Sequence, residues 1–264
     1  MRIVRFLAFE KISYGVFHEG KIRRLRRDPF IQFTTFGRIS FIDSVSYSLD
    51  SVKLLPPCSP SKIVCLGLNY RSHVREMESA TPSIPLIFLK PSTAVIGPND
   101  AIILPLGSKR IDYEGELAVV VGKKAKDVPK GEAARYILGY TCFNDVSDRE
   151  AQVADGQWTR AKGYDTFAPL GPWIETDISP SGLKLETYVN GELRQSASTS
   201  ELLFSVPELL SFISHVMTLL PGDVIATGTP EGVGSLRPGD IVEIKIEKIG
   251  TLKNPVVGSK EVGK

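Results

Sequence analysis

Five consecutive apolar residues, Leu117, Ala118, Val119, Val120 and Val121, follow directly on the segment RIDYEGE. A run of this kind reads as a strand buried in the core of a sheet. The residues in front of it are harder to accommodate. In an extended chain Asp112, Glu114 and Glu116 share one face, and three like charges in a row repel unless a positive group sits among them. Two arrangements satisfy that requirement: a wet strand end bridged by lysine or arginine, or one half of a divalent-metal site. The rest of the chain decides between them.

Most of the remaining sequence carries the strand pattern. Residues 1 to about 50 read as short strands (RIVRFLAF, SYGVFHEG, GRISFID). The proline-rich LLPPCSPSK then marks a linker, which divides the chain into a small β-rich N-terminal extension over 1–57 and a main domain over 58–264. KIVCLGLNY, PLIFLKP, AIILP, YILGYTCFNDV, LKLETYVNGELR, DVIATG and IVEIKIEKIGTLKNPVV continue the pattern, and Asn190-Gly191 signals a hairpin. One helix is predicted, over SVPELLSFISHVMTLL. Ser205 and Glu208 have capping-box spacing, Pro207 is tolerated in the first turn, and Leu209, Leu210, Ile213, Val216 and Met217 recur at helical intervals. The fold class is therefore α+β and strand-rich, without the strand–helix alternation of a doubly wound sheet.

Charge and cysteine usage exclude several function classes. The net charge of +2 gives no general case for nucleic acid or an acidic membrane. The local run KIRRLRR over 21–27 has no helical or zinc-finger frame and no interleaved aromatics. It reads as a solvated face, with RNA binding through it as the non-enzymatic alternative. Cys58, Cys65 and Cys142 form no C-x-x-C pair and suit a reduced, cytoplasmic protein. The charged N-terminus does not resemble a signal peptide, and no apolar run approaches the roughly 20 residues of a membrane span.

Several polar groups at strand ends and turns need a reason. His73 and Glu76 are three residues apart and touch if the turn is helical; a carboxylate beside an imidazole orients it as a general base. Asp145 follows an apolar stretch, with Arg149 and Gln152 further on, and Lys162 precedes a glycine and a proline-rich turn. ATGTPEGVG around Thr229 lacks the Gly-Lys-Ser/Thr ending of a phosphate loop, so nucleotide binding is rejected, but its backbone N–H groups suit an anion such as a carboxylate. In FLKPST, Lys90 and Ser92 are read as strand-capping residues.

Taken in order, N-Y-x-x-H-x-x-E, D-Y-E-x-E-L, N-D-x-x-x-R-x-x-Q, K-G-x-D-T-F-x-P-x-G-P and T-G-T-P-x-G-V-G resemble the fumarylacetoacetate hydrolase family. That resemblance implies a mixed β-sandwich roll, a homodimer, and one divalent cation per chain, magnesium first, with manganese or calcium as alternatives. The ligands it implies are Glu114, Glu116 and Asp145. A cation among them would remove the repulsion noted above, and an all-carboxylate set argues against zinc.

The resemblance also implies an enzyme working through a metal-stabilised enolate of a 2-oxo acid or 1,3-dicarbonyl substrate. Lys162 would face the developing charge, Arg149, Gln152 and Thr229 would hold the substrate carboxylate, and His73 with Glu76 would move the proton. C–C bond hydrolysis of an acylpyruvate or fumarylacetoacetate type is the leading reaction, with enol–keto isomerisation or decarboxylation of a β-keto acid as alternatives. The polar stretch from His73 through REMESATPSIP has little apolar content to pin it. It is expected to be a mobile lid that keeps His73 away from the carboxylates when no ligand is bound.

Overall fold

The Gly115–Val121 strand lies deep inside a twelve-stranded sheet, between Ile137–Asn144 and Val224–Ala226. The computed structural model describes residues 1–40 and 42–259, and every residue of this strand is buried. Leu117, Val119 and Val121 point into one core, shared with Leu185, Ile244 and Leu252 of a second, five-stranded sheet. Ala118 and Val120 point into the other, shared with Phe143, Leu170 and Ile174. Covering both faces removes the polar–apolar alternation and leaves the continuous apolar run seen in the sequence. Each buried valine contributes about 1.5–3 kcal/mol.

The main path of the large sheet runs Ile42–Ser48, Lys21–Leu25, Lys11–His18, Arg2–Ala8, Ala168–Glu175, Ile137–Asn144, Gly115–Val121, Val224–Ala226, Ile63–Gly67 and Leu86–Lys90. Most neighbours are antiparallel, but Val224–Ala226 lies parallel to Ile63–Gly67, so the sheet is mixed. The five-stranded sheet packs across it, giving the expected β-sandwich roll. It holds the Lys184–Val189 and Glu192–Ser198 hairpin, whose turn residues Asn190 and Gly191 both adopt positive φ, as an Asn-Gly turn requires. The N-terminal strands extend the large sheet instead of forming a layer of their own, because Arg2 and Ile3 pair with Glu175 and Ile174.

Two expectations need correction. The N-terminal region is not all strand: Pro29–Phe36 is a helix, with the Asp28 side chain accepting the Phe30 and Ile31 N–H groups and Gly37 closing it in the left-handed conformation. Asp28, Pro29 and Gly37 are in fact start and stop signals; the aromatic and β-branched content between them reads as strand. The second concerns RIDYEGELAVVV, which is not one strand. Ile111–Tyr113 belongs to a small three-stranded sheet and Gly115–Val121 to the large one. The chain changes sheets at Glu114, which separates Asp112 from the other two carboxylates.

The Val206–Val216 helix forms as predicted, with the Ser205–Glu208 capping box in place. His215, on its exposed side, contacts the Ser211 carbonyl. Cys58, Cys65 and Cys142 are free and buried. In the 21–27 run, Ile22 and Leu25 point inward while Arg24 pairs with Asp43 across the neighbouring strand at 2.6 Å. Among the described residues no helix is long and apolar enough to cross a membrane.

Candidate metal centre and active site

Glu114, Glu116 and Asp145 each place a carboxylate oxygen within 4.8 Å of the others, and all three are buried. Strand pairing brings them together. Gly115 is in register with Asn144, the Asn144 side chain accepts the Glu114 N–H at 2.9 Å, and the Asp145 N–H donates to the Glu114 carbonyl at 2.8 Å.

Three cations surround this cluster. Lys162, on the short helix Thr159–Gly163, donates to Glu114 Oε2 at 2.9 Å and Asp145 Oδ2 at 2.7 Å. Its ammonium also lies 5.0 Å from the centre of the Phe88 ring. Lys90 donates to Asp145 Oδ1 at 2.5 Å and to the Val146 carbonyl at 2.9 Å. Arg149 Nη2 is 2.5 Å from Glu114 Oε1, an ion pair too oblique for a hydrogen bond. Both oxygens of Glu114 and of Asp145 therefore face a positive group.

Glu116 differs. Its Oε2 accepts the Gly228 N–H at 2.8 Å, but its Oε1 is buried without a partner. An unpaired carboxylate oxygen in the interior costs more than a made hydrogen bond returns. A divalent cation bound by hard oxygen donors fits that atom and the converging oxygens beside it, and the absence of His or Cys from the set does not suit zinc.

Proton affinities follow from these surroundings. Burial alone raises the Glu114 carboxyl, but the Lys162 ammonium and Arg149 guanidinium overcome it and hold the group well below the usual carboxylate range. Burial raises Glu116 as well, and the charges of Asp145 and Glu114 push it further the same way, so it lies well above that range. For Lys162 burial favours loss of the proton, yet Asp145 and Glu114 keep the ammonium charged with a raised pKa.

The His73 segment departs from expectation. It is folded as the helix Arg71–Glu76, and His73 is only 7% exposed. His73 Nδ1 meets Glu76 Oε2 at 2.8 Å, while Glu76 Oε1 accepts the Gly232 N–H at 2.8 Å, which fastens the helix to the loop around Thr229. Backbone and carboxylate contacts thus hold Arg71–Glu76, the start of the segment expected to be a lid, while the stretch that follows, 77–84, is largely exposed.

Arg149 donates through Nε to Asp112 at 2.8 Å and through Nη1 to Gln152 at 2.9 Å. Asp112, fully buried, also accepts both ends of Arg110 and the Ser235 hydroxyl. Thr229 is buried beside Gly115. Lys90, read in the sequence as a strand-capping residue, has a different place. It is 1% exposed and does not cap a strand; its partner Asp145 is 55 residues away, so no local pattern signals the pair.

The chain belongs to the fumarylacetoacetate hydrolase family: the family's C-terminal domain matches residues 62–257. Residues 1–57 match a second family, described as Rv2993c-like, N-terminal. Among solved structures, a 5-carboxymethyl-2-hydroxymuconate delta-isomerase from Mycobacterium smegmatis is 48% identical. It superposes with a TM-score of 0.90 over 98% of this chain and 100% of that one. A maleylpyruvate hydrolase from Sphingobium sp. SYK-6, in complex with manganese(II) and pyruvate, is 31% identical with a TM-score of 0.82 over the same shares. The mitochondrial oxaloacetate tautomerase Fahd2a of Rattus norvegicus is 42% identical over 215 residues, 77% of this chain and 69% of the relative.

Proposed function

We propose that the chain is a divalent-cation-dependent enzyme that forms the enolate of a 2-oxo acid or 1,3-dicarbonyl substrate. The observation that carries this reading is the buried Lys162 ammonium beside three convergent carboxylates, one of them with an unpartnered oxygen. When bound by Glu114, Glu116 and Asp145, the cation, magnesium by preference, supplies Lewis-acid polarisation of the substrate's chelating oxygens. Lys162 keeps its proton at working pH and places a fixed positive charge where the enolate oxygen develops. Arg149 donates to Asp112 and Gln152 and meets Glu114 only as an ion pair, so the remaining N–H groups of Nη1 and Nη2 are left for the substrate carboxylate.

His73 is held through Nδ1, which leaves Nε2, without a partner among the described residues, to exchange the reacting proton. In C–C bond hydrolysis of an acylpyruvate, His73 takes a proton from water as the oxygen attacks the acyl carbon. The C–C pair leaves as pyruvate enolate, and the proton is returned to carbon. The buried His73–Glu76 pair supports this reaction. A second reading, keto–enol isomerisation of a 2-oxo dicarboxylate, moves one proton between carbon and oxygen with no water consumed. The isomerase and tautomerase relatives, at 48% and 42% identity, favour it.

The deciding experiment assays purified protein with Mg²⁺ or Mn²⁺ against acylpyruvates, oxaloacetate and 2-hydroxy-dienedioates, with products resolved by NMR in parallel reactions in H₂¹⁸O and in D₂O. Label in a released carboxylate establishes hydrolysis; solvent deuterium exchange at carbon without cleavage establishes isomerisation. Inertness toward all three classes refutes the enolate chemistry. The same reading makes the working unit a homodimer, which light scattering tests.

A further inference from the structure

The loop from Thr227 to Gly232 presents five main-chain N–H groups, Pro230 having none. Thr227 donates to the Leu117 carbonyl at 3.0 Å, Gly228 to Glu116 at 2.8 Å, Glu231 to the Ser72 hydroxyl at 3.4 Å and Gly232 to Glu76 at 2.8 Å. The Thr229 N–H alone has no partner among the described residues, although Thr229 is only 3% exposed. A buried N–H without a partner is rare in a folded protein and is normally satisfied by water or a ligand.

The Thr229 hydroxyl is in the opposite condition. It donates its one proton to the Gly115 carbonyl at 3.0 Å and accepts Gln195 Nε2 at 2.9 Å. Gln195 is 1% exposed, and its amide is used completely. Oε1 accepts the Gly115 N–H at 3.0 Å and the Thr187 hydroxyl at 2.7 Å, and Nε2 gives its second proton to the Pro230 carbonyl at 2.9 Å. Turning the amide over would set N–H against the Gly115 N–H and an oxygen against the Pro230 carbonyl, so the orientation has one solution.

The backbone leaves room for this amide at two glycines. A methyl group on Gly115 would lie 2.2 Å from Thr187 Oγ1 and 3.2 Å from Gln195 Oε1, and one on Gly232 would lie 3.3 Å from Gln195 Cγ.

We infer that Gln195 is a positioning residue that commits the Thr229 hydroxyl to Gly115, so that the Thr229 main-chain N–H, and not its hydroxyl, receives the substrate carboxylate. Because Gly115 separates Glu114 from Glu116, the same amide fixes the donor relative to the carboxylate cluster. The inference rests on the enolate chemistry proposed above.

Oxalate, a planar mimic of a 2-oxo acid enolate, is the probe, titrated calorimetrically in the presence of Mg²⁺. Gln195→Met and Thr229→Val each remove the same hydrogen bond. They are expected to weaken oxalate equally, on the order of tenfold, with the double variant no weaker than either and Thr229→Ser, which keeps the hydroxyl, binding more tightly than Thr229→Val. In protein labelled with ¹⁵N-threonine, the Thr229 amide resonance, identified by its loss in Thr229→Ser, is expected to move downfield on oxalate binding, a readout independent of whether the other variants fold. A large loss in Thr229→Val with binding retained in Gln195→Met would make the hydroxyl the donor and overturn the inference, as would additive losses or an unmoved amide. Wild-type protein that binds no oxalate with Mg²⁺ would instead defeat the enolate reading itself.

Discussion

Ion pairs occur in two regions of this molecule under opposite conditions. On the N-terminal sheet, Arg24 and Asp43 meet at 2.6 Å with side chains 31% and 15% exposed, and Arg26 stands 3.8 Å from the same carboxylate. Around Glu114 and Asp145, lysines 90 and 162 make contacts of similar length with no side chain more than 6% exposed. Distance alone does not separate the two regions; water does. Exposed pairs exchange one set of solvated partners for another and contribute little. Burying the second set costs several kcal/mol per ion, which attraction repays only when every charge is matched. In the function proposed above, the cation would match the one oxygen left over in a cluster held at that cost.

The comparison can be broken from the buried side first. Removing divalent cations with a chelator is expected to abolish turnover, and readdition of Mg²⁺ or Mn²⁺ to restore it; full activity in chelator would empty the carboxylate cluster of its proposed purpose. Lys162→Met is expected to lower turnover by on the order of 10²-fold or more, the loss expected for one preorganised charge, with steady-state kinetics as the check. Lys90→Met leaves Asp145 buried with one partner fewer, a destabilisation of about 3–5 kcal/mol. Thermal melts should show the larger loss in chelator and a partial recovery with Mg²⁺. The surface counterpart, Asp43→Asn, should leave both the melting temperature and turnover within experimental scatter.

A subtler test uses proton affinity. Glu116 binds its proton more tightly folded than unfolded, so its contribution to stability is present below the ordinary carboxyl value of 4.5 and is lost as pH rises through its raised folded value. Glu114 has the opposite shift, and its contribution is lost as pH falls below 4.5. Cation-free wild type should therefore lose stability relative to Glu116→Gln as pH rises above 4.5, and the stabilisation gained from Mg²⁺ should grow over the same range. Parallel melting curves for the two proteins in chelator would show that Glu116 is not held in its protonated form.

What the sequence revealed, and what it concealed, follows from the range of the interactions. The Asn190-Gly191 turn and the Ser205–Glu208 box are local devices, legible because their cause lies within four residues. The carboxylates at 114 and 116 were conspicuous because two like charges before an apolar run violate a local rule. Lys90 violated none: a lysine at a strand end is unremarkable until strand pairing sets it against Asp145. Gln195 looked like any polar residue on a hairpin, since its four partners come from Gly115, Thr187, Thr229 and Pro230. The His73 segment misled for the same reason, because what pins it is a glycine N–H 156 residues away from Glu76.

The pairing of Gly228 with Glu116, 112 residues apart, bears on the order in which the molecule is made. The strand carrying Glu116, with Glu114 just before it, leaves the ribosome ahead of its neighbour Val224–Ala226 and the loop beyond, which emerge near the end. At roughly 5–20 residues per second, the nascent chain carries a half-built acidic strand for several seconds before the groups that steady it arrive. Under the proposed function, cation capture would be a late event in the protein's synthesis, since a chain truncated before residue 228 would contain all three carboxylates and lack the Gly228 N–H that Glu116 accepts.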